Sequence, residues 1–389
     1  MTLHVLFTGL VSKTSISGGD QLFLDIAPHL PKDIKLVLIT PSFAKKYWED
    51  INQSNVEFRY LRDNPFDSYS HQIFIFLSYL IRSWQVYQIL RKEKEVEAIY
   101  SCSDIVYADI WPAYFLVGHK KVKWLTRIYH VILPPAKRQG NFLVNFLAFY
   151  LQRLSFWMIK KRSNLILALN DALRKELLDL GFPKNRIGVL GAGIDYEKIR
   201  NFKPTKKYIY DVVALGRVAP VKGIFDIVKI WKTVHDHNPS WKFAWVGGGN
   251  ENYTKKMRET VERAGLEHSF SLLGFIDKEE VYNILKSAKV FVCPDHENGW
   301  GLAICEAMAS GLPVVSYNID IFGSVYKKGY RSVPLFDTKK FSIELIKVLE
   351  DNSLRKMLGE EAQDQAAKFD HSRVIKEFLK YLKENGLGL

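Results

Sequence analysis

Residues 290–318 read VFVCPDHENGWGLAICEAMASGLPVVSYN, and the succession of strand, short loop, helix and strand in them decides the fold. Residues 290–293 form a short apolar run rich in β-branched and aromatic side chains, closed by Pro294, as a strand buried on both faces requires. Residues 302–310 predict a helix, with Ala307 and Ala309 small enough for close packing and Gly311 just beyond its C-cap. Residues 312–316 begin the next strand. In the intervening loop, Gly299 and Gly301 let a ligand approach the backbone where a side chain would block it. The helix behind them presents free N–H groups and a partial positive charge, a seat for a phosphate or the polar rim of a sugar. Glu306, about one turn into that helix, supplies a carboxylate able to accept two hydroxyl hydrogen bonds, as from a ribose.

The same strand–loop–helix unit recurs earlier in the chain. Towards the N-terminus of this half, residues 211–215 predict a strand, followed by Gly216-Arg217-Val218-Ala219-Pro220-Val221-Lys222-Gly223 and an amphipathic helix over 224–237. Arg217 and Lys222 leave the strand end on a glycine-flanked loop, so both are able to converge on an anion seated there. Residues 241–246 predict a strand ending in three glycines, 251–264 a helix, and 271–273 a short strand leaving through Gly274-Phe275-Ile276. Asp277 and Glu280 are spaced as a capping box for the next helix.

In the first half, strands are expected at 3–8, 35–40, 98–100, 124–128, 165–169 and 186–190, most of them separated by helical segments, which is the pattern of a parallel, doubly wound sheet. The first strand is followed by a polar loop containing Gly18, Gly19 and Asp20, then a helix from about residue 20 to 27. His130 stands just past the strand at 124–128, on the edge where ligands bind in such sheets. Asn170-Asp171 cap the helix that follows. Charge and proline interrupt the pattern at residues 200–210, which sets the expected domains at 1–205 and 206–371, with a final helix over 372–389.

Composition bounds the reading. With 389 residues, 47% apolar and 25% charged, the chain is of ordinary globular make-up and long enough for two or three domains. Its net charge of +13 is concentrated in residues 1–205, which hold 28 Lys+Arg against 18 Asp+Glu. A basic half points to nucleic acid, an anionic membrane surface or a phosphorylated substrate. The basic residues are scattered and no nucleic-acid-binding motif is recognisable, so nucleic acid is not an expected partner. Cys102, Cys293 and Cys305 form no C-x-x-C pair and suit a reducing, cytoplasmic setting. The histidines show no metal-ligand spacing, and no metal or other cofactor is expected. The apolar start, MTLHVLFTGL, lacks a basic n-region and a cleavage site and fits a first strand. No apolar run approaches the roughly 20 residues needed to span a bilayer. Two stretches, at 73–81 and 142–158, are rich in Phe, Leu, Tyr and Trp and edged with Lys and Arg, the composition of helices lying in a membrane interface. They fit equally as core helices of the first domain.

With these residues in view, the chain resembles the retaining glycosyltransferases of the GT-B fold, especially glycosyltransferase family 4. The family's donor signature has two glutamates eight positions apart, with Gly-Phe-Gly-Leu after the first. Gly299-Trp300-Gly301-Leu302 and Glu306-Ala307-Met308-Ala309-Ser310-Gly311 follow it, but the first glutamate position is Asn298, with Glu297 one residue before. Gly216-Arg217 and Lys222-Gly223 match the family's Gly-Arg, four residues, Lys-Gly motif. The resemblance implies an α/β, GT-B architecture: two Rossmann-like domains with parallel sheets facing across a cleft, and a last helix crossing back to the first domain.

The resemblance also implies roles. Arg217 and Lys222 would hold the donor diphosphate, Glu306 the ribose, and the backbone at Phe275 and Ile276 the base. Gly18 and Gly19 would close over the phosphates, His130 would face the donor sugar, and Asn298 or Glu297 would meet its hydroxyls. The implied reaction is retaining transfer of a sugar from a UDP- or GDP-sugar to an acceptor hydroxyl, without a metal. The basic excess and the aromatic stretches of the first domain suggest a lipid-linked saccharide or glycolipid acceptor, met by a peripheral enzyme at the cytoplasmic membrane face. Alternatives are a soluble glycan acceptor, a sugar-nucleotide epimerase, and a non-catalytic homologue.

Overall fold

The computed structural model describes residues 1–10, 18–48, 55–69, 72–138 and 142–387. The chain forms two compact units: Met1–Gly193 together with His371–Leu389, and Ile194–Asp370. The division therefore falls after Gly193, ahead of the Pro- and Lys-rich stretch at 200–210, and the second unit includes the short helix Tyr196–Asn201.

Among the described residues the first unit is built on β1 (Thr2–Leu6), β2 (Lys35–Pro41), β3 (Val56–Leu61), β4 (Ala98–Ser101), β5 (Lys123–Ile128), β6 (Leu165–Ala168) and β7 (Ile187–Val189). They form one parallel sheet in the order β3-β2-β1-β4-β5-β6-β7. Strand direction of growth reverses between β1 and β4. Side chains alternate across each strand, so Leu3, Val5, Leu125 and Leu167 join one core with Phe23 of α1 (Gly18–Ile26) and Phe378 of the C-terminal helix His371–Glu384. The opposite face is covered by α2 (Gln72–Lys92), α3 (Trp111–His119) and α4 (Phe142–Arg162), with α3 touching α2, α4 and β5.

Polar groups buried at the carboxyl ends of β1 and β4 are satisfied by Asp109. Its Oδ1 accepts from the backbone N–H and the hydroxyl of Thr8 (3.1 and 2.6 Å), and its Oδ2 from those of Ser103 (3.0 and 2.7 Å). Beside them the Arg82 guanidinium donates to Asp67 at 2.6 Å and to the carbonyls of Thr8 (3.1 Å) and Leu10 (2.7 Å). A charged pair as dry as this one, 3% exposed on each side, is tolerable only with its hydrogen bonds complete.

The second unit repeats the plan. β8 (Val212–Leu215), β9 (Phe243–Val246), β10 (Phe270–Gly274), β11 (Val290–Cys293), β12 (Val314–Tyr317) and β13 (Tyr330–Val333) form a parallel sheet ordered β10-β9-β8-β11-β12-β13. Its core is mainly Val, Ile and Leu, packed around the large buried rings of Trp231, Phe243 and Trp245. The order reverses between β8 and β11, which pair directly at Val290 with Val212 and Phe291 with Val213.

Two strands were not anticipated, β3 and β13. Both lie on sheet edges and carry charge, as edge strands do: VEFRYL and YRSV offer no continuous apolar run. α1 starts at Gly18, so Gly18 and Gly19 open the helix instead of lying in a loop; residues 11–17 of the expected loop lie outside the described residues. Asn170 caps as expected, accepting from Leu173 N at 2.8 Å, whereas Asp277 sits at an N-cap without a side-chain cap bond, so no capping box forms. The apolar stretches at 73–81 and 142–158 belong to helices of 21 residues each, long and apolar enough by length and composition to cross a bilayer. Counting unbroken apolar residues had concealed this, because single polar residues such as Asn145, Gln152 and Ser155 interrupt the run while pointing into the unit.

Replacing Arg82 by Ala leaves the Asp67 carboxylate buried and unpaired. It is expected to cost about 3–5 kcal/mol in denaturant unfolding of the full chain. Lys232→Ala, which opens only the exposed pair with Asp236, is expected to cost no more than about 0.5 kcal/mol.

Candidate active site

In an open parallel sheet, ligands collect outside the carboxyl ends of the strands where the order reverses. In the second unit that point lies between β8 and β11, and the loops leaving these two strands, 216–223 and 294–301, carry most of the residues marked in the sequence. They are stitched together. His296 N donates to the Val221 carbonyl at 2.9 Å. Gly223 adopts φ +66°, and a Cβ there would lie 2.0 Å from the Pro294 oxygen, so only glycine permits the approach. The Lys222 ammonium donates to Asp295 Oδ2 at 2.5 Å.

Asp295 organises the loop. Its side chain is 8% exposed, and the same Oδ2 accepts from Asn298 Nδ2 at 2.6 Å. Asn298 Oδ1 in turn accepts from Trp300 N at 3.1 Å. Asn298 is thus tied into the loop, while Glu297 next to it faces solvent. Two cations divide the work differently: Arg217 is exposed and makes no hydrogen bond or ion pair with the described residues, whereas Lys222 is held by its carboxylate partner.

The Leu302–Ala309 helix starts behind this loop, with Gly301 as its N-cap at φ +88°. A Cβ on Gly301 would meet Phe322 at 3.0 Å and the Tyr326 hydroxyl at 3.3 Å. Buried Tyr326 fixes the turn by donating to the carbonyls of Trp300 (2.9 Å) and Gly301 (3.0 Å). The Trp300 ring packs edge-on against Phe369, centroids 5.4 Å apart, so this tryptophan serves the core. Leu302 follows as the first helical residue. Glu306 is 19% exposed and lies 4.0 Å from Lys278 Nζ, at the start of the helix Lys278–Ser287 that follows the loop after β10. In that loop Phe275 is 89% exposed and Ile276 half-buried, and Gly248 approaches the Phe275 backbone closely enough that a Cβ would lie 3.8 Å from its nitrogen.

The cysteines take no part in the chemistry. All three are buried, and burial pushes the Cys305 thiol up to about 12 and the Cys293 thiol well above its ordinary value, so both stay protonated and unreactive. Among the described residues no cluster of His, Cys, Asp or Glu has the make-up of a metal site.

In the first unit His130 lies two residues beyond β5 and is exposed. Its carbonyl accepts from Gln152 Nε2 at 2.9 Å, and the same nitrogen donates to buried Asp104 at 2.8 Å. Burial holds the Asp104 carboxyl above its usual range, opposed by the charge of nearby His130. Of the residues marked in the sequence, the structure therefore gathers Arg217, Lys222, Asn298, Gly299, Gly301 and Glu306 at one sheet edge of the second unit. Gly18, Gly19 and His130 belong to the first unit. Asp295 and Tyr326 were missed. An aspartate directly after a strand-ending proline was the available signal for the first; nothing local distinguishes Tyr326.

Residues 195–365 match the family model described as Glycosyl transferases group 1. The chain resembles a group 1 glycosyltransferase. It is 30% identical over 185 residues to a phosphatidyl-myo-inositol mannosyltransferase of Mycolicibacterium smegmatis, covering 46% of each chain. It is 28% identical over 149 residues to a 2-deoxystreptamine N-acetyl-D-glucosaminyltransferase of Niallia circulans, covering 38% of each. The match thus spans less than half the length of either relative. The fold is shared more widely: the structure of Anabaena HepE in complex with UDP and glucose superposes with a TM-score of 0.78 at 16% identity, over 98% of this chain and 99% of that one. This group 1 glycosyltransferase-like chain accordingly has the GT-B fold of two Rossmann-like α/β domains.

The pairing of Lys222 with Asp295 makes a test of the site. Lys222→Ala removes a cation and also bares a buried carboxylate beside the anion seat; adding Asp295→Asn removes the second defect. Calorimetric titration with pyrophosphate is expected to show the double variant binding more tightly than Lys222→Ala alone, with a coupling of about 0.5–3 kcal/mol. Equal affinities would show that Asp295 does not face the anion.

Proposed function

We propose that the protein is a retaining glycosyltransferase that moves a sugar from a UDP- or GDP-sugar to an acceptor hydroxyl. The observation that carries this reading is the convergence of Arg217, Lys222 and a helix N-terminus at the β8/β11 reversal, within the segment that matches the group 1 family model. When the glycosidic phosphate bond breaks, negative charge develops on the departing diphosphate while the sugar becomes oxocarbenium-like. Donors fixed in advance around that charge are the largest single source of catalysis in such chemistry. Lys222 keeps one N–H on Asp295 and offers the others; Arg217 brings an unneutralised charge and a planar fork suited to phosphate oxygens. Glu306 meets the ribose hydroxyls and the Phe275–Ile276 backbone the base.

On this reading the departing phosphate takes the acceptor proton on the same face of the sugar, which accounts for retention without a protein base. Asn298 supplies its amide to the sugar hydroxyls, and the roles that the family resemblance implies, His130 for the donor sugar and Gly18 and Gly19 for the phosphates, are part of the same proposal. Two cations neutralise the diphosphate, so no metal is required.

The acceptor is a lipid-linked saccharide or glycolipid, reached by a peripheral enzyme at the cytoplasmic face of the membrane. What supports this is the outer face of α4. Phe142, Phe146, Leu147, Tyr150, Leu154 and Trp157 recur at helical spacing and are between 37% and 63% exposed, while Gln152 and Ser155 on the other side bond into the unit. Ile73, Phe76, Leu80 and Trp84 form a similar stripe on α2. A helix bonded to its own domain along one side and apolar along the other suits lying in an interface, not crossing it.

The test is transfer of label from UDP- and GDP-sugars into the organic-extractable fraction of host lipids. Arg217→Ala is expected to lower turnover roughly 100- to 1,000-fold with an unchanged unfolding midpoint, since the side chain is exposed and makes no bond with the described residues. Label confined to water-soluble glycan would overturn the lipid acceptor and leave the transferase. An epimerised sugar nucleotide formed without acceptor, or no turnover at all, would overturn the transferase.

A further inference from the structure

We infer that the first unit carries a pocket for the phosphate of an anionic lipid headgroup, at the amino-terminal edge of its sheet; the inference rests on the membrane reading above. That edge is opposite the one bearing His130. A cavity of about 520 Å³ opens there, within the roughly 300–1,000 Å³ of small-ligand sites. Lys123 at the start of β5, Lys161 and Arg162 at the end of α4, and Arg186 just before β7 line it, against the single carboxylate of Glu384. None of the four cations forms an ion pair with the described residues. Unneutralised cations gathered around one concavity are a site for a compact polyoxyanion.

The surroundings point to a lipid as the carrier of that anion. A continuous row of rings crosses α2, α3 and α4: Trp84 to Tyr87 (6.0 Å), Tyr87 to Trp111 (5.7 Å), Trp111 to Phe115 (4.9 Å), Phe115 to Tyr114 (5.5 Å) and Tyr114 to Trp157 (5.7 Å). Trp84 and Trp157 at its two ends are 55% and 50% exposed. Amphipathic rings arranged in this way sit at the level of lipid headgroups. The row ends on the pocket's own cations: the Arg162 guanidinium lies over Tyr114 at 4.1 Å, and Lys161 over Trp157 at 5.0 Å. Rings at headgroup depth therefore bring the cavity to the depth of the lipid phosphates. A free sugar phosphate would need the cations but would leave the exposed rings of Trp84, Phe115 and Trp157 without a role.

The test uses the full chain and flotation on phosphatidylcholine vesicles with and without phosphatidylglycerol. Lys123→Ala/Lys161→Ala removes two exposed side chains and keeps the fold, with circular dichroism as the check. Lys339→Ala/Lys340→Ala removes the same charge from exposed positions in the second unit. The wild type is expected to partition onto phosphatidylglycerol vesicles and to be competed off by the soluble headgroup glycerophosphoglycerol. The pocket variant should lose roughly 30-fold, about fivefold for each cation near an anionic surface, and the control variant should match the wild type. If the pocket variant floats as well as the wild type, or the control loses as much, the pocket is overturned while membrane binding stands. Flotation that depends on phosphatidylglycerol but resists the soluble headgroup also overturns it, in favour of diffuse attraction. If the wild type floats on neither vesicle, the membrane reading falls and the inference with it, even where the free headgroup binds.

Discussion

The parallel pairing of β8 with β11 is the constraint on which the site depends. The chain runs from β8 through β9 and β10 on one side and returns to β11 on the other side of the starting strand. The two loops leaving β8 and β11 therefore have no crossover helix between them, and each must satisfy the other's polar groups. They do so with a backbone bond from His296 to Val221, a glycine at 223 that admits the Pro294 carbonyl, and the Lys222–Asp295 pair. A salt bridge this dry contributes little net stability, because the desolvation of both ions offsets their attraction. Its value lies in geometry: a flexible four-carbon side chain is reduced to one placement.

The two units solve the same topological problem with different chemistry. In the first, the reversal between β1 and β4 is closed by Asp109, which spends both oxygens on Thr8 and Ser103 and has nothing left for a ligand. In the second, Asp295 holds Lys222 and Asn298 through a single oxygen, leaving the remaining ammonium N–H groups and the helix N-terminus available. A reversal point closed on itself suits the half assigned to a variable acceptor. One with unspent donors suits the half assigned to a diphosphate.

Most of this was legible in the sequence because it depends on local pattern. Short apolar runs between helical segments mark the central strands, and glycines at 223, 301 and 311 mark places where the backbone turns left-handed or approaches closely, as their φ values of +66°, +88° and +86° bear out. What stayed hidden depends on partners distant in sequence. Edge strands β3 and β13 lack the two-sided burial that makes a run apolar. Tyr326 reaches back across more than twenty residues to the Trp300 and Gly301 carbonyls, a contact no spacing rule announces. Gln152 and Ser155 interrupt the apolar run of α4 because they bond to Asp104. The polarity that made the helix look too short is what anchors it.

Asn298 shows how a departure from a motif is absorbed. The resembling family carries a glutamate at this position. Here a glutamate would put a second carboxylate against Asp295, which lies 2.6 Å from the Asn298 amide nitrogen; two like charges at that distance do not both ionise. An amide fits, since it donates to Asp295 with one end and accepts from the Trp300 N–H with the other. Glu297 has no part in this arrangement and faces solvent. The loop still contains one inward carboxylate, three residues earlier than the motif places it, and bonded to the lysine. In the proposed reaction this carboxylate acts on the donor through Lys222 and Asn298, so sugar recognition at this position runs through amide hydrogen bonds. Such a site discriminates among hydroxyl patterns by geometry with less electrostatic cost beside a diphosphate that already carries negative charge.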